Sequence, residues 1–307
     1  MIQATNLNKS FGTLKAVNQV NLNIKEGEIF GLLGPNGAGK STTINLISSL
    51  LKADSGSISL NGIDLNTHPI LAKNSIGIVP QEISLYDNFS AYDNLLFFGK
   101  LYKVDKTTLK QRIDEILILI GLENRKNDLI KTYSGGMKRR INIAAALLHK
   151  PKILLMDEPT VGVDPQSRNR IFEVVETLNK QGLTIIYTTH YMEEVERLCN
   201  RIAIMDTGKI IAQGTLKELQ EQSKTTEKVA LTFSAISKEQ FVAFKKAFAF
   251  EIQQIENTLS INCNINKDLS TILAYCTTNN IEVNDIKVLK ANLEAIFLDL
   301  TNKQLRD

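Results

Sequence analysis

The sequence predicts an α/β protein: a mostly parallel core sheet, an antiparallel β subdomain at the N-terminus, a helical insertion, and a small α+β domain at the C-terminus. Three observations carry this. Apolar, strand-like runs at Ile29–Leu33, Ile153–Met156, Thr184–Thr189 and Ile202–Met205 alternate with helical patterns, as crossover units do. A glycine-rich octapeptide, Gly34-Pro35-Asn36-Gly37-Ala38-Gly39-Lys40-Ser41, follows the first of these strands without a gap. A polar stretch, Gln220–Lys228, then breaks the rhythm ahead of a second, smaller pattern.

Taken in order, the stretch from Met1 to about Gly62 alternates apolar and polar residues, as in Val20–Ile24 and Ser57–Leu60, which reads as half-buried strands. A helix over Ser41–Leu50 follows the glycine-rich loop. Between Tyr86 and Lys150 the period turns helical: Leu109, Ile113, Ile116, Leu117 and Ile120 share one face, and Ile141, Ala144, Ala145 and Leu148 another. A further helix spans Ile171–Lys180. Beyond the polar stretch, strands at Val229–Phe233, Ile252–Glu256, Leu259–Cys263 and Ile281–Leu289 with helices at Lys238–Phe248 and Asp268–Thr278 give β-α-β-β-α-β, closed by a helix at Leu293–Leu300. The expected domains are therefore 1–222, with the insertion over about 86–150, and 223–307.

Composition narrows the class. A length of 307 residues suits two domains, and 36 basic against 33 acidic side chains leave only +3, which argues against a nucleic-acid groove. The three cysteines, Cys199, Cys263 and Cys276, are odd in number and lack metal-type spacing, so they read as reduced packing residues. The N-terminus has no basic-then-apolar signal, and no apolar run approaches the ~20 residues needed to span a bilayer. The expectation is a chain neither exported nor embedded in a membrane.

The octapeptide has the form of a P-loop. Its glycines let backbone N–H groups approach phosphates, Lys40 brings a point charge to the β- and γ-phosphates, and the Ser41 hydroxyl is a ligand for Mg²⁺. Asp157 and Glu158 follow four apolar residues, which puts both at the carboxyl end of a buried strand, where ligands sit in open α/β sheets. Asp157 is the candidate for the Mg²⁺ shell and Glu158 for the general base on the attacking water. Gln81 and His190 also follow strand-like runs and are expected at the same edge, Gln81 near Mg²⁺ or the lytic water and His190 near the γ-phosphate. Farther along, Ser134, Gly135 and Gly136 open a basic helix and offer a hydroxyl and backbone donors to an anion, reinforced by the helix dipole.

The order of these motifs resembles an ATP-binding cassette (ABC) ATPase over about Met1 to Leu219. Gly34–Thr42, Gln81, Tyr133–Met137, Ile153–Pro159, Val161–Asp164 and Thr189-His190 look like its Walker A, Q-loop, signature, Walker B, D-loop and H-loop. The resemblance implies a P-loop NTPase cassette with ATP and Mg²⁺ as ligands, Asn36, Gly37, Gly39, Lys40, Ser41 and Thr42 holding phosphate, and Phe11 stacking on adenine. It implies that Gln81 begins the surface that docks on a membrane subunit and that Asp164 reaches across a dimer in which each signature covers the ATP of the facing chain. The signature departs from the common form, with Tyr133 in place of Leu and Met137 in place of Gln. That form, with the Glu158–Pro165 run and the appended tail, resembles ATPase subunits of ABC-2-type exporters, the drug-resistance and gliding-motility branch. The implied partners are integral membrane permease subunits and a second ATPase subunit, this chain or a close paralogue, on the cytoplasmic face of the inner (plasma) membrane, with no nucleic acid. A soluble ABC-type ATPase of DNA repair or translation is the competing reading, and the chain lacks that group's long heptad arms, cysteine pairs and second cassette. A regulator that only binds nucleotide would suit a damaged catalytic set, but Lys40, Asp157, Glu158 and His190 are all present.

Overall fold

The structure is a computed structural model that describes residues 1–223, 228–263, 265–289 and 293–301. Its described residues divide into two compact units, Met1–Leu216 and Lys217–Thr301, a few residues short of the boundary expected at 222.

The first unit opens with β1 (Ile2–Phe11) and β2 (Leu14–Ile24), an antiparallel hairpin, followed by β3 (Ile29–Leu33) and α1 (Lys40–Ile47). Next come β4 (Ser55–Leu60), β5 (Ile63–Asp64), α2 (Pro69–Lys73) and β6 (Ile76–Val79). The insertion supplies α3 (Ala91–Leu101), α4 (Lys106–Leu119) and α5 (Gly135–Leu147). The core then resumes with β7 (Ile153–Asp157), α6 (Pro165–Lys180), β8 (Thr184–Thr189), α7 (Met192–Leu198), β9 (Arg201–Asp206) and β10 (Lys209–Gly214).

A six-stranded sheet of order β10-β9-β3-β8-β7-β6 forms the core, parallel throughout except where β10 returns against β9. Its central strands β3, β7 and β8 are buried along their whole length, which is why they read as mainly apolar runs without polar alternation. The period of two decides which face each residue serves. On β7, Leu154 and Met156 pack with the helices of the insertion, whereas Ile153 and Leu155 pack with α1 and the smaller antiparallel sheet, β2-β1-β4-β5. Burying each such side chain stabilises the unit by about 1.5–3 kcal/mol. Because β6, β7, β8 and β3 are parallel, their carboxyl ends share one edge, and the segments that carry Lys40, Gln81, Asp157, Glu158 and His190 leave from that edge.

The second unit begins within α8 (Leu216–Gln222) and continues through β11 (Lys228–Phe233), α9 (Lys238–Ala247), β12 (Ile252–Ile255), β13 (Thr258–Asn262), α10 (Ile265–Thr278), β14 (Val283–Leu289) and α11 (Leu293–Thr301). Its sheet is antiparallel, ordered β12-β13-β11-β14, over a core that includes Val229, Leu231, Phe244, Leu259, Ile261 and Ile272. Ser237 and Gln240 close a reciprocal capping box at the start of α9. The expected linker is corrected in part: Gln220–Gln222 finish α8, which Leu219 anchors by full burial, and Lys228 opens β11. Residues 224–227 of that stretch lie outside the described residues. All three cysteines are free thiols; Cys199 lies against Gly31, and burial pushes its thiol pKa up.

Candidate active site

The glycine-rich loop is shaped by what surrounds it. A β-carbon at Gly34 would stand 2.2 Å from the Met205 carbonyl oxygen, and one at Gly39, where φ is 104°, would stand 2.3 Å from that of Ala16, so neither position accepts a side chain. Gly37, with φ of 81°, faces open space, and Asn36 beside it is exposed. The loop thus runs, held close to its neighbours, into the N-terminus of α1, the polarity that favours an anion. Lys40, the first residue of α1, is 4% exposed and turns its ammonium back over the loop. Its Nζ donates to the carbonyls of Gly34 at 2.8 Å and Pro35 at 3.2 Å. Ser41 and Thr42 follow on the helix, half-buried, their hydroxyls without a protein partner among the described residues.

Strand β7 delivers the two carboxylates. Asp157 Oδ1 accepts from the Thr188 hydroxyl at 2.6 Å, and the same hydroxyl oxygen accepts from the Glu158 N–H at 2.9 Å. Thr188 therefore locks the end of β7 from the neighbouring strand. Glu158 has φ of 44°, a left-handed conformation that costs on the order of 1–2 kcal/mol for a residue with a β-carbon. That bend brings its carboxylate over the loop. Oε1 pairs with Lys40 Nζ at 3.0 Å and lies 3.5 Å from His190 Nδ1, while Oε2 lies 3.4 Å from Gln81 Nε2. Three residues expected on independent grounds to share one edge, Lys40, Gln81 and His190, thus converge on the carboxylate of Glu158.

Phe11 ends β1, 48% exposed, with Lys9 Nζ 5.7 Å from its ring centroid; it is not a core residue. The hairpin it belongs to passes beside the loop, since Asn18 donates to Gly208 O and Gly208 donates to Ala38 O. At the insertion, Ser134 caps α5 by accepting from Met137 N at 3.2 Å, and both Ser134 and Gly135 are exposed. Gly136 is buried: a β-carbon there would meet the Ser167 side chain at 2.2 Å, so this glycine is also a packing requirement against α6. Asp164 caps α6 by accepting from Ser167 N at 2.9 Å, and that backbone bond, first among its causes, holds its carboxyl pKa below the usual value.

Three residues with direct bearing on this geometry were not foreseen from the sequence: Thr188, Glu194 and Arg139. Glu194, 1% exposed on α7, accepts from the hydroxyls of Thr160 at 2.7 Å, Thr189 at 2.9 Å and Tyr187 at 3.1 Å. Thr160 lies two residues past Glu158 and Thr189 just before His190, so one buried carboxylate ties both loops. The Tyr187 phenol is pushed well above its usual pKa by burial, with the Glu194 charge adding to it. The signal available beforehand was placement: Glu194 stands one turn before Leu198, and Arg139 one turn before Ile143, each a charge in register with the apolar side of its helix.

Residues 17–161 match the ABC transporter family. The chain is 47% identical to the linearmycin resistance ATP-binding protein LnrL of Bacillus subtilis over 311 residues, covering 100% of both chains. It is 34% identical to the Nod factor export ATP-binding protein I of Cupriavidus pinatubonensis, covering 100% of this chain and 92% of that one. Among solved structures it matches, with TM-score 0.64 and 30% identity, a dimeric post-hydrolysis ATP-binding cassette bound to ADP and Pi, over 70% of this chain and 99% of the other. The chain therefore belongs to the ABC transporter family, as an ATP-binding subunit with ATPase activity.

Proposed function

We propose that this chain is the motor subunit of an ABC-2-type exporter, working as one of a pair of cassettes on separate integral membrane permease subunits at the cytoplasmic face of the plasma membrane. Full-length similarity to resistance and export proteins supports the exporter branch. No helix among the described residues is long and apolar enough to cross a membrane, so the transport path is assigned to other subunits. The second cassette is this chain or a close paralogue. The unit from Lys217 on is assigned an accessory role.

The observation that carries the mechanism is the meeting of Lys40, Gln81 and His190 on Glu158. With ATP in the loop, Lys40 turns from Glu158 to the phosphates and the backbone donors of Asn36–Gly39 hold the rest of the chain of charges, while Phe11 stacks on adenine. Glu158, released at Oε1, accepts the proton of the attacking water; Gln81 orients that water from the Oε2 side and His190 stabilises the γ-phosphate. The Ser41 hydroxyl and Asp157 are oxygen donors of the kind Mg²⁺ takes, and Thr188 already orients Asp157. Bound there, Mg²⁺ neutralises charge on the phosphates. Ser134, Gly135 and Gly136 of the facing chain, with Asp164, complete the site across the pair.

Affinity capture of the full chain from solubilised membranes, beside its Mg²⁺-dependent ATPase rate, tests the proposal. Recovery of a multi-span membrane protein with an ATPase abolished by EDTA supports it; recovery of ribosomes or DNA instead overturns it.

A further inference from the structure

The helix that begins with the exposed Ser134 cap is tied at its second turn to the loop that carries Gln81. Arg139, 4% exposed, donates from Nη1 to Pro80 O at 2.7 Å and from Nη2 to Gln81 O at 2.6 Å. Its Nε has no partner among the described residues, so the fork of the guanidinium is committed to these two consecutive carbonyls. A second tie lies close by: Lys138 pairs with Asp87 at 2.7 Å, but this pair is at the surface and contributes little. The Gln81 backbone is thus fixed from α5, while its side chain points the other way, to Glu158 Oε2. Burial lowers the Arg139 pKa, the mark of a desolvated cation, and a guanidinium is placed in such a position at a cost that an apolar side chain would not incur.

We propose that Arg139 is a positioning residue for hydrolysis: it sets Gln81 against Glu158 from the helix whose first turn meets the nucleotide of the facing cassette. The inference rests on the site reading given above, in which Gln81 orients the lytic water and Ser134–Gly136 contact ATP across the pair. Arg139 touches neither ATP nor water. It passes the position of α5 to Gln81 through two backbone carbonyls, so that docking of the signature and alignment of the water occur together. An ammonium is a point donor on a flexible stem and lacks the rigid fork of parallel N–H groups that fixes both carbonyls in register.

The test is a double-mutant cycle on the full chain: wild type, Arg139→Ala, Gln81→Ala and the double variant, each assayed for kcat and KM with Mg²⁺-ATP. Arg139→Ala is expected to lower kcat by about tenfold to a hundredfold with KM held. The double variant should be no slower than Gln81→Ala within about twofold, because both changes remove the same alignment. Losses that multiply, or a Gln81→Ala chain with wild-type rate, overturn the proposal. Arg139→Lys, which keeps the charge, should melt near wild type yet stay slow; a full wild-type rate in this variant also overturns it, and it replaces Arg139→Ala in the cycle if the alanine chain does not fold. Glu158→Gln run alongside separates the two levels. If Glu158→Gln abolishes hydrolysis and the cycle is multiplicative, only the Arg139 proposal falls; if Glu158→Gln hydrolyses ATP normally, the site reading falls and takes the proposal with it.

Discussion

Lys40 Nζ stands 3.0 Å from Glu158 Oε1, and the two side chains are only 4% and 6% exposed. Each charge is the other's partner in a site that leaves little water to solvate either. A buried pair of this kind contributes modestly as a whole but is costly to break by halves, because the survivor is left unpaired. Under the proposed function the ammonium exchanges this carboxylate for phosphate when ATP binds.

Lys40→Ala removes a charge-assisted contact of about 1.5–3 kcal/mol to phosphate, so ATP affinity should fall roughly tenfold to a hundredfold. Without ATP the same change strands Glu158, and urea unfolding should show a loss that Lys40→Ala combined with Glu158→Gln partly recovers. Titration calorimetry checks the first half; unchanged affinity would mean that the loop does not hold phosphate through Lys40.

Glu158→Gln keeps size and hydrogen bonding and removes the base. Hydrolysis should drop by about 10²–10⁴-fold while Mg²⁺-ATP still binds through Lys40, Ser41 and Asp157. With a carboxylate charge removed beside the γ-phosphate, ATP should trap a dimer visible by size-exclusion chromatography. A variant that binds ATP yet stays monomeric would point to a different partner chain or against a site shared across the pair.

Gly135 and Gly136 are adjacent in sequence and should respond differently to alanine. At Gly136 the new methyl meets the Ser167 side chain at 2.2 Å, an overpacking expected to cost about 1–3 kcal/mol. Gly135→Ala has its nearest neighbour, the Gly162 carbonyl oxygen, at 3.9 Å and should leave thermal stability unchanged. Ser167→Gly should restore the melting temperature of Gly136→Ala; failure of that rescue would show that the contact is not the cause.

Glu194→Ala leaves the hydroxyls of Thr160, Thr189 and Tyr187 without their shared acceptor. A buried polar group left unmade costs about 1–3 kcal/mol, so the urea midpoint should shift clearly, and kcat should fall because Thr160 and Thr189 adjoin the segments that bear Glu158 and His190. Glu194→Gln, which keeps one acceptor oxygen, should lose less of both. An alanine variant as stable and as fast as wild type would remove the network from any supporting role.

Much of the candidate site was legible because its residues sit at or just past strand ends. Lys40, Gln81, Asp157, Glu158 and His190 each follow a short apolar run, and in a parallel sheet those runs must finish on one edge. The polar stretch at Gln220 breaks the apolar rhythm without breaking the helix: glutamine and glutamate are good helix formers, and Leu216 and Leu219, three residues apart, carry α8 through Gln222. Arg139 and Glu194 were not legible, since each is recognised only by its partners. Arg139 bonds to residues 59 and 58 positions away, and Glu194 to a threonine 34 positions away.

The sequence by itself determined the α/β core, the insertion, the order of the six motifs and the residue types of the candidate site, because strand burial, helical period and loop glycines are local properties of the chain. Only the tertiary structure decided that Lys40, Gln81 and His190 meet on one carboxylate, that Thr188 and Glu194 lock the loops that present it, and that Arg139 ties Gln81 to the signature helix. Those contacts join segments far apart in the chain, and their distances depend on how the sheet orders its strands and how the helices pack on its faces, which no local pattern encodes.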